Sequence, residues 1–243
     1  MNGKSRAAAA LAATLALGLA LALPGCASRD AAPGDPAARP MVALTFDDGP
    51  GPHTGRLLDA LERHGARATF FVPGRQVEPG RDAILRAVGM GSEVAGHSWS
   101  HPELTSLSDG EIEEELRATS DAIERVTGVR HAFYRPPYGL LDRRVVDVSA
   151  ALGYAMVNWT LDTNDWRPEN QDADVIYSFI MREARAGSVV LMHDTLPATV
   201  AAMERAIPSL IERGFQLVTV SELLRGAGFE LAPGRVFGVN WNM

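Results

Sequence analysis

Seven short apolar runs, each followed by a segment of helical period, limit what this chain can fold into. The runs lie at 42–46, 68–72, 93–96, 132–134, 154–160, 188–192 and 215–220. Helical period appears near 55–64, 81–89, 142–152, 173–186, 197–213 and 221–225. It is clearest from Ser108, where Ser-Asp-Gly-Glu makes a capping box ahead of Ile112, Leu116, Ile123 and Val126. Such alternation calls for a mainly parallel sheet covered by helices, either an open doubly wound sheet or a closed barrel. The polar residues after the runs favour the barrel. Asp47 and Asp48 follow the first run, His97 the third, Arg135 the fourth, Asp162 and Asp165 the fifth, and His193 the sixth. Barrel enzymes collect their sites from the ends of many strands, whereas an open sheet gathers ligands at one switch point. No Gly-x-Gly-x-x-Gly segment or phosphate loop is present.

The chain ahead of this pattern differs in kind. Lys4 and Arg6 precede residues 7–23, which are almost purely Ala and Leu, and Leu23-Pro24-Gly25-Cys26 follows. A charged start, an apolar run and small residues read as an export signal over residues 1–25. The other reading is a retained anchor, for which the run is at the short limit. Cys26 is the only cysteine, so no internal disulfide can form. Leu-x-Gly-Cys resembles the bacterial lipobox, which makes Cys26 the expected lipidation site and the membrane a partner through a lipid anchor. Residues 26–40, rich in Ala, Pro and Gly, read as a flexible linker, 41–226 as one catalytic domain, and 227–243 as a C-terminal tail. A net charge of -7 with no basic run argues against nucleic acid as a partner. A monomer is expected.

Thr45-Phe46-Asp47-Asp48-Gly49-Pro50 places two carboxylates after a strand and before a turn. The turn could aim both into one pocket, or leave both in solvent. In Gly96-His97-Ser98-Trp99-Ser100-His101, two imidazoles four apart can meet on one face of a helical turn, a spacing that suits a shared metal. One carboxylate with two histidines fits a catalytic zinc site with open positions, and fits non-haem iron oxygenases equally. The strand–helix alternation favours hydrolysis, because such oxygenases are expected on all-β double sheets. Arg135-Pro136-Pro137-Tyr138 offers a permanently charged guanidinium that could keep a carboxylate ionised. Asp162 and Asp165 flank a turn leading to Trp166, a candidate sugar platform. His193 ends a buried strand, where a neighbouring Asp162 or Asp165 would raise its pKa.

Together these segments resemble the polysaccharide deacetylases of carbohydrate esterase family four, the NodB-homology domain. The matching motifs are Thr-Phe-Asp-Asp-Gly-Pro at 45–50, His-Ser-x-x-His at 97–101, Arg-Pro-Pro-Tyr at 135–138, Asp-x-x-Asp-Trp at 162–166 and Leu-x-His at 191–193. The resemblance covers about residues 41–225 and implies an α/β fold, a distorted (β/α)7-type barrel. It implies that Asp48, His97 and His101 hold a divalent metal, usually Zn2+, with Co2+ or Ni2+ as alternatives. Asp47 would be the general base, held by Arg135. His193 would be the general acid, tuned by Asp165 in preference to Asp162. The amide of Tyr138 would bind the oxyanion beside Pro137, and Leu191 and Trp166 would line the acetyl pocket and sugar groove.

The resemblance implies an acetylated polysaccharide as substrate, peptidoglycan or chitin-like oligosaccharides first. The same motifs occur in enzymes that take O-acetyl groups from xylan. A reading of another class is a non-catalytic glycan-binding lipoprotein, which should have lost ligands, base or acid; all are present here.

Overall fold

The computed structural model describes residues 39–238. The expected export signal, Cys26 and most of the linker lie outside the described residues. Among the described residues, no helix is long and apolar enough to cross a membrane.

Nine strands form one sheet among the described residues. They are β1 (Met41–Asp47), β2 (Thr69–Val72), β3 (Glu93–Gly96), β4 (Phe133–Tyr134), β5 (Ala155–Val157), β6 (Leu161–Asp162), β7 (Val189–His193), β8 (Gln216–Val218) and β9 (Val236–Phe237). The row runs β6-β7-β1-β2-β3-β4-β5-β9, with β8 beside the start of β1, and every pairing is parallel. The run at 154–160 does not form one strand. Only its first part, β5, is strand and pairs with β4; β6 begins just beyond the run and pairs with β7. Residues 158–160 join the two, so the chain itself bridges the seam between the ends of the row. Residues 227–243 supply β9, which pairs with β5, so the packed domain extends past residue 226 to Phe237.

Eight helices connect the strands among the described residues: α1 (Thr54–Arg63), α2 (Gly74–Val77), α3 (Arg81–Gly89), α4 (Asp109–Thr127), α5 (Arg143–Ala151), α6 (Ala173–Glu183), α7 (Pro197–Glu212) and α8 (Val220–Gly226). The start of α4 is the expected capping box, with Glu111 accepting from the Ser108 amide at 2.8 Å. Asp142 starts α5 by accepting from the Val145 amide at 2.8 Å.

Side chains alternate across the sheet, and the alternation separates two cores. Val42, Leu44 and Phe46 of β1 join Leu57, Leu58 and Leu61 of α1 in the layer between sheet and helices. Each of these fully buried leucines contributes roughly 1.5–3 kcal/mol relative to exposure. The opposite parity, Ala43, Phe71, Ala95, Phe133, Ala155, Val157 and Val189, fills the barrel interior. Continuing that inner parity toward the strand ends brings in Thr45 and Asp47 from β1, His97 after β3, Arg135 after β4, and Leu191 and His193 from β7. The fold thus converts a period of two into a ring of polar side chains above an apolar plug.

Candidate active site

A cavity of about 400 Å³ opens at these strand ends, lined by Asp47, Asp48, His97, His101, Tyr138, Trp159, Asp162, Trp166, Leu191 and His193. Asp48 breaks the strand alternation because its φ is 70°. This left-handed turn lets adjacent carboxylates face the same cavity. Gly49 follows for a steric reason: a Cβ there would lie 2.1 Å from an Asp194 carboxylate oxygen. Asp194 is fully buried, accepts from the Thr54 hydroxyl, and is pushed by burial up to about 6. Thr54 in turn accepts from the Gly51 amide at 2.8 Å, so the end of β7 and the turn after β1 are tied together.

Asp48, His97 and His101 each offer one ligand atom within a mutual spread of 4.8 Å. His101 Nε2 is 3.3 Å, and His97 Nε2 3.6 Å, from Asp48 Oδ1. The two histidines do not meet on a helical turn. They sit on a loop in which Ser98 and His101 have φ of 58° and 65°. His97 Nδ1 lies 2.7 Å from the Arg135 carbonyl oxygen, which fixes that nitrogen as the protonated one and leaves Nε2 free. Burial lowers His97 to about 3, against the nearby Asp48 charge, so the ring is neutral. Two imidazoles with outward nitrogens and one carboxylate form a donor set that fits a divalent transition ion with open positions.

Asp47 is 3% exposed and Arg135 is fully buried, and Arg135 Nη1 donates to Asp47 Oδ1 at 2.7 Å. The guanidinium also donates to Thr45 Oγ1 at 2.8 Å and to the Val157 and Asn158 carbonyls at 3.1 Å each. Its face rests 3.9 Å from the Phe71 ring centre. Burial raises the Asp47 pKa and outweighs the opposing Arg135 charge, which makes this carboxylate more basic than a surface aspartate. Burial lowers the Arg135 pKa, opposed by Asp47.

His193 is a second titratable side chain lining the cavity, with its Nδ1 2.7 Å from Asp165 Oδ1. Asp165 Oδ2 accepts from the His193 amide at 2.8 Å and the Thr199 hydroxyl at 2.7 Å. Burial alone would lower His193, but the Asp165 hydrogen bond and charge, with Asp47 and Asp48, raise it to about 9. Asp162 takes a different part: it accepts from the Asn164 amide at 2.8 Å and borders the cavity without touching His193. Burial raises its pKa.

Tyr138 has a φ of 61° and an exposed ring whose edge meets His101 at 4.8 Å between centres. Pro137 is buried behind it and begins a short 3-10 turn. Trp166 is half exposed and borders the cavity, with Leu191 at its floor. Sequence reasoning missed Trp159, which lines the cavity and packs on Gly139. It also missed Thr45, Thr199 and Asp194, whose roles depend on partners from 34 to 145 residues away. Strand parity marks Thr45 as inward-facing; no local signal marks the others.

A profile of the polysaccharide deacetylases matches residues 34–157, and the chain belongs to that family. It is 38% identical over 184 residues to the peptidoglycan-N-acetylmuramic acid deacetylase PdaC of Bacillus subtilis, covering 75% of this chain and 38% of that protein. The chain therefore spans under two fifths of that relative. It is also 38% identical to a chitooligosaccharide deacetylase of Sinorhizobium fredii, across 72% of this chain and 88% of the relative. Among solved structures, the T48 deacetylase with substrate aligns at a TM-score of 0.75 and 36% identity, over 82% of this chain and 96% of that one.

Proposed function

We propose that this protein is a metal-dependent hydrolase that removes N-acetyl groups from N-acetylglucosamine units of an envelope polysaccharide. Peptidoglycan is the first candidate and chitin-like oligosaccharides the second. One observation carries the reading: two separate proton-transfer groups, Asp47 and His193, flank one set of metal ligands. Asp47 Oδ2 is 3.8 Å from His97 Nε2, and His193 Nε2 is 4.0 Å from Asp48 Oδ2. The names of the similar proteins, acting on peptidoglycan or chitooligosaccharide, support the substrate class.

Amide hydrolysis needs a proton taken from water and a proton given to nitrogen, because an amine leaves poorly. A divalent ion, Zn2+ first with Co2+ or Ni2+ able to replace it, would be held by Asp48, His97 and His101 and would supply Lewis acidity. Asp47 accepts the proton of the attacking water, and Arg135 holds the carboxylate in line. The main-chain N–H of Tyr138 donates to the carbonyl oxygen as negative charge develops there. His193, protonated and oriented by Asp165, donates to the departing nitrogen. Leu191 receives the acetyl methyl group, and Trp166 stacks on the sugar. The export signal at 1–25 and lipidation at Cys26 would place a monomer at the membrane, facing this substrate.

The test is acetate release from peptidoglycan, chitooligosaccharides and acetylxylan by protein loaded with defined metals. Asp47→Asn should keep the metal and lose turnover, whereas His101→Ala should lose the metal. Failure of the metal-loaded protein to release acetate from all three glycans overturns the reading, and release from acetylxylan alone would make it an O-acetyl esterase.

A further inference from the structure

The loop between His97 and His101 is held by a residue outside every motif discussed so far. Glu115 lies in the middle of α4, on a turn that faces the loop. Its Oε2 accepts from the Trp99 amide at 2.6 Å and the Ser100 amide at 2.8 Å, and its Oε1 accepts from the Ser100 hydroxyl at 2.7 Å. Hydrogen bonds to an ionised acceptor are short and about twice as strong as neutral ones. Other bonds of the loop come from α2 and from within the loop itself. The Ser98 and Trp99 carbonyls accept from the Gly74 and Arg75 amides of α2 at 2.9 and 3.2 Å, and the His101 amide donates to Ser98 Oγ at 3.1 Å.

The loop contains two non-glycine residues, Ser98 and His101, in the left-handed region. Such conformations persist only where the surroundings over-determine them. Here the surroundings are a neutral helix start on one side and a single carboxylate on the other. His101 ends the loop, and its ring nitrogens have no hydrogen bond to the main chain among the described residues, whereas His97 Nδ1 is anchored separately at the Arg135 carbonyl.

We propose that Glu115 is a positioning residue for the metal centre, fixing the 98–101 backbone so that His101 Nε2 meets Asp48 and His97 in one donor set. This rests on the reading of those three residues as metal ligands. Partners that orient ligands from outside the donor set are typically worth 10–100-fold in metal affinity. Glu115→Ala removes the acceptor and leaves three donors of the loop to water, which solvates them without fixing the backbone. Glu115→Gln retains one acceptor oxygen, but its amide group faces those donors.

The experiment measures zinc affinity by competition with a chromogenic chelator, and the visible spectrum of the Co2+-loaded protein, which reports coordination geometry. Melting of the metal-free proteins gives the fold control. Glu115→Ala should bind zinc about 10–100-fold more weakly and change the cobalt bands, while Glu115→Gln recovers part of both. Should Glu115→Ala melt below the titration temperature, Glu115→Gln carries the comparison with a loss of several-fold. Wild-type binding with undiminished affinity and unchanged cobalt bands in the folded variants overturns the inference alone. A wild-type protein that binds no zinc, or a His101→Ala variant that binds as tightly as wild type, overturns the metal reading and the inference with it.

Discussion

Nδ1 of His193 lies 2.7 Å from Oδ1 of Asp165, and the second oxygen of that carboxylate binds the main chain of the same histidine at 2.8 Å. One buried carboxylate thereby sets both the tilt of the ring and which nitrogen faces the cavity. Its charge and hydrogen bond overcome burial and hold His193 protonated up to about 9. Asp165→Asn leaves burial unopposed by that partner, so the histidine should lose its proton at a distinctly lower pH. An NMR titration of the metal-free protein would show the shift, and an unchanged midpoint would refute the assignment. His193→Ala should lower kcat by about 10²–10⁴-fold, the usual range for a general acid.

The pair of Arg135 and Asp47 makes a second prediction. Removing one member of a buried ion pair strands the other, at a cost of about 3–5 kcal/mol. Arg135→Met should lower the urea midpoint accordingly, and adding Asp47→Leu should recover much of the loss. A single variant as stable as the wild type would show that the pair is not held as described.

Gly49 and Asp194 should behave as a coupled pair. Gly49→Ala drives a methyl group into the Asp194 carboxylate, and overpacking of this kind costs about 1–3 kcal/mol. Asp194→Ala removes the obstacle. A double-mutant cycle in denaturant should therefore show the two substitutions to be strongly non-additive; simple additivity would remove the steric argument for glycine.

His131 gives the acid side of the stability profile. It is buried between the Tyr134 and Tyr154 rings, and burial lowers it to about 3 from an unfolded value near 6.5. The unfolded chain therefore binds the proton first as pH falls. Stability from this group is complete above about 6.5 and drains away toward 3. His131→Phe should shift the acid transition to lower pH, as followed by circular dichroism.

The alternation that was legible in the sequence is the alternation that builds the barrel, because a buried parallel strand needs an unbroken apolar run and a covering helix. Strand parity also explains why Asp47, Arg135 and His193 share a cavity. Other features were not legible. The run at 154–160 looks continuous, yet the strand ends at Val157, and the chain resumes pairing only at Leu161, beside β7 instead of β4. The spacing of His97 and His101 is that of a helical turn, yet the loop takes left-handed turns that Glu115 and the start of α2 hold in place. The expected C-terminal tail contains Phe237, whose place beside β5 depends on backbone pairing that side-chain pattern does not announce. Trp159, Thr199 and Asp194 acquire meaning only from partners distant in the chain.

Arg135 serves the cleft through two different parts of itself: its guanidinium grips Asp47, while its carbonyl oxygen orients His97. The second of these is indifferent to which amino acid stands there. A substitution at this position would therefore free the Asp47 carboxylate from its partner while keeping a carbonyl oxygen for His97 Nδ1. On the proposed mechanism, the distance between an enzyme and a protein that keeps the donor set but turns nothing over is then a single step.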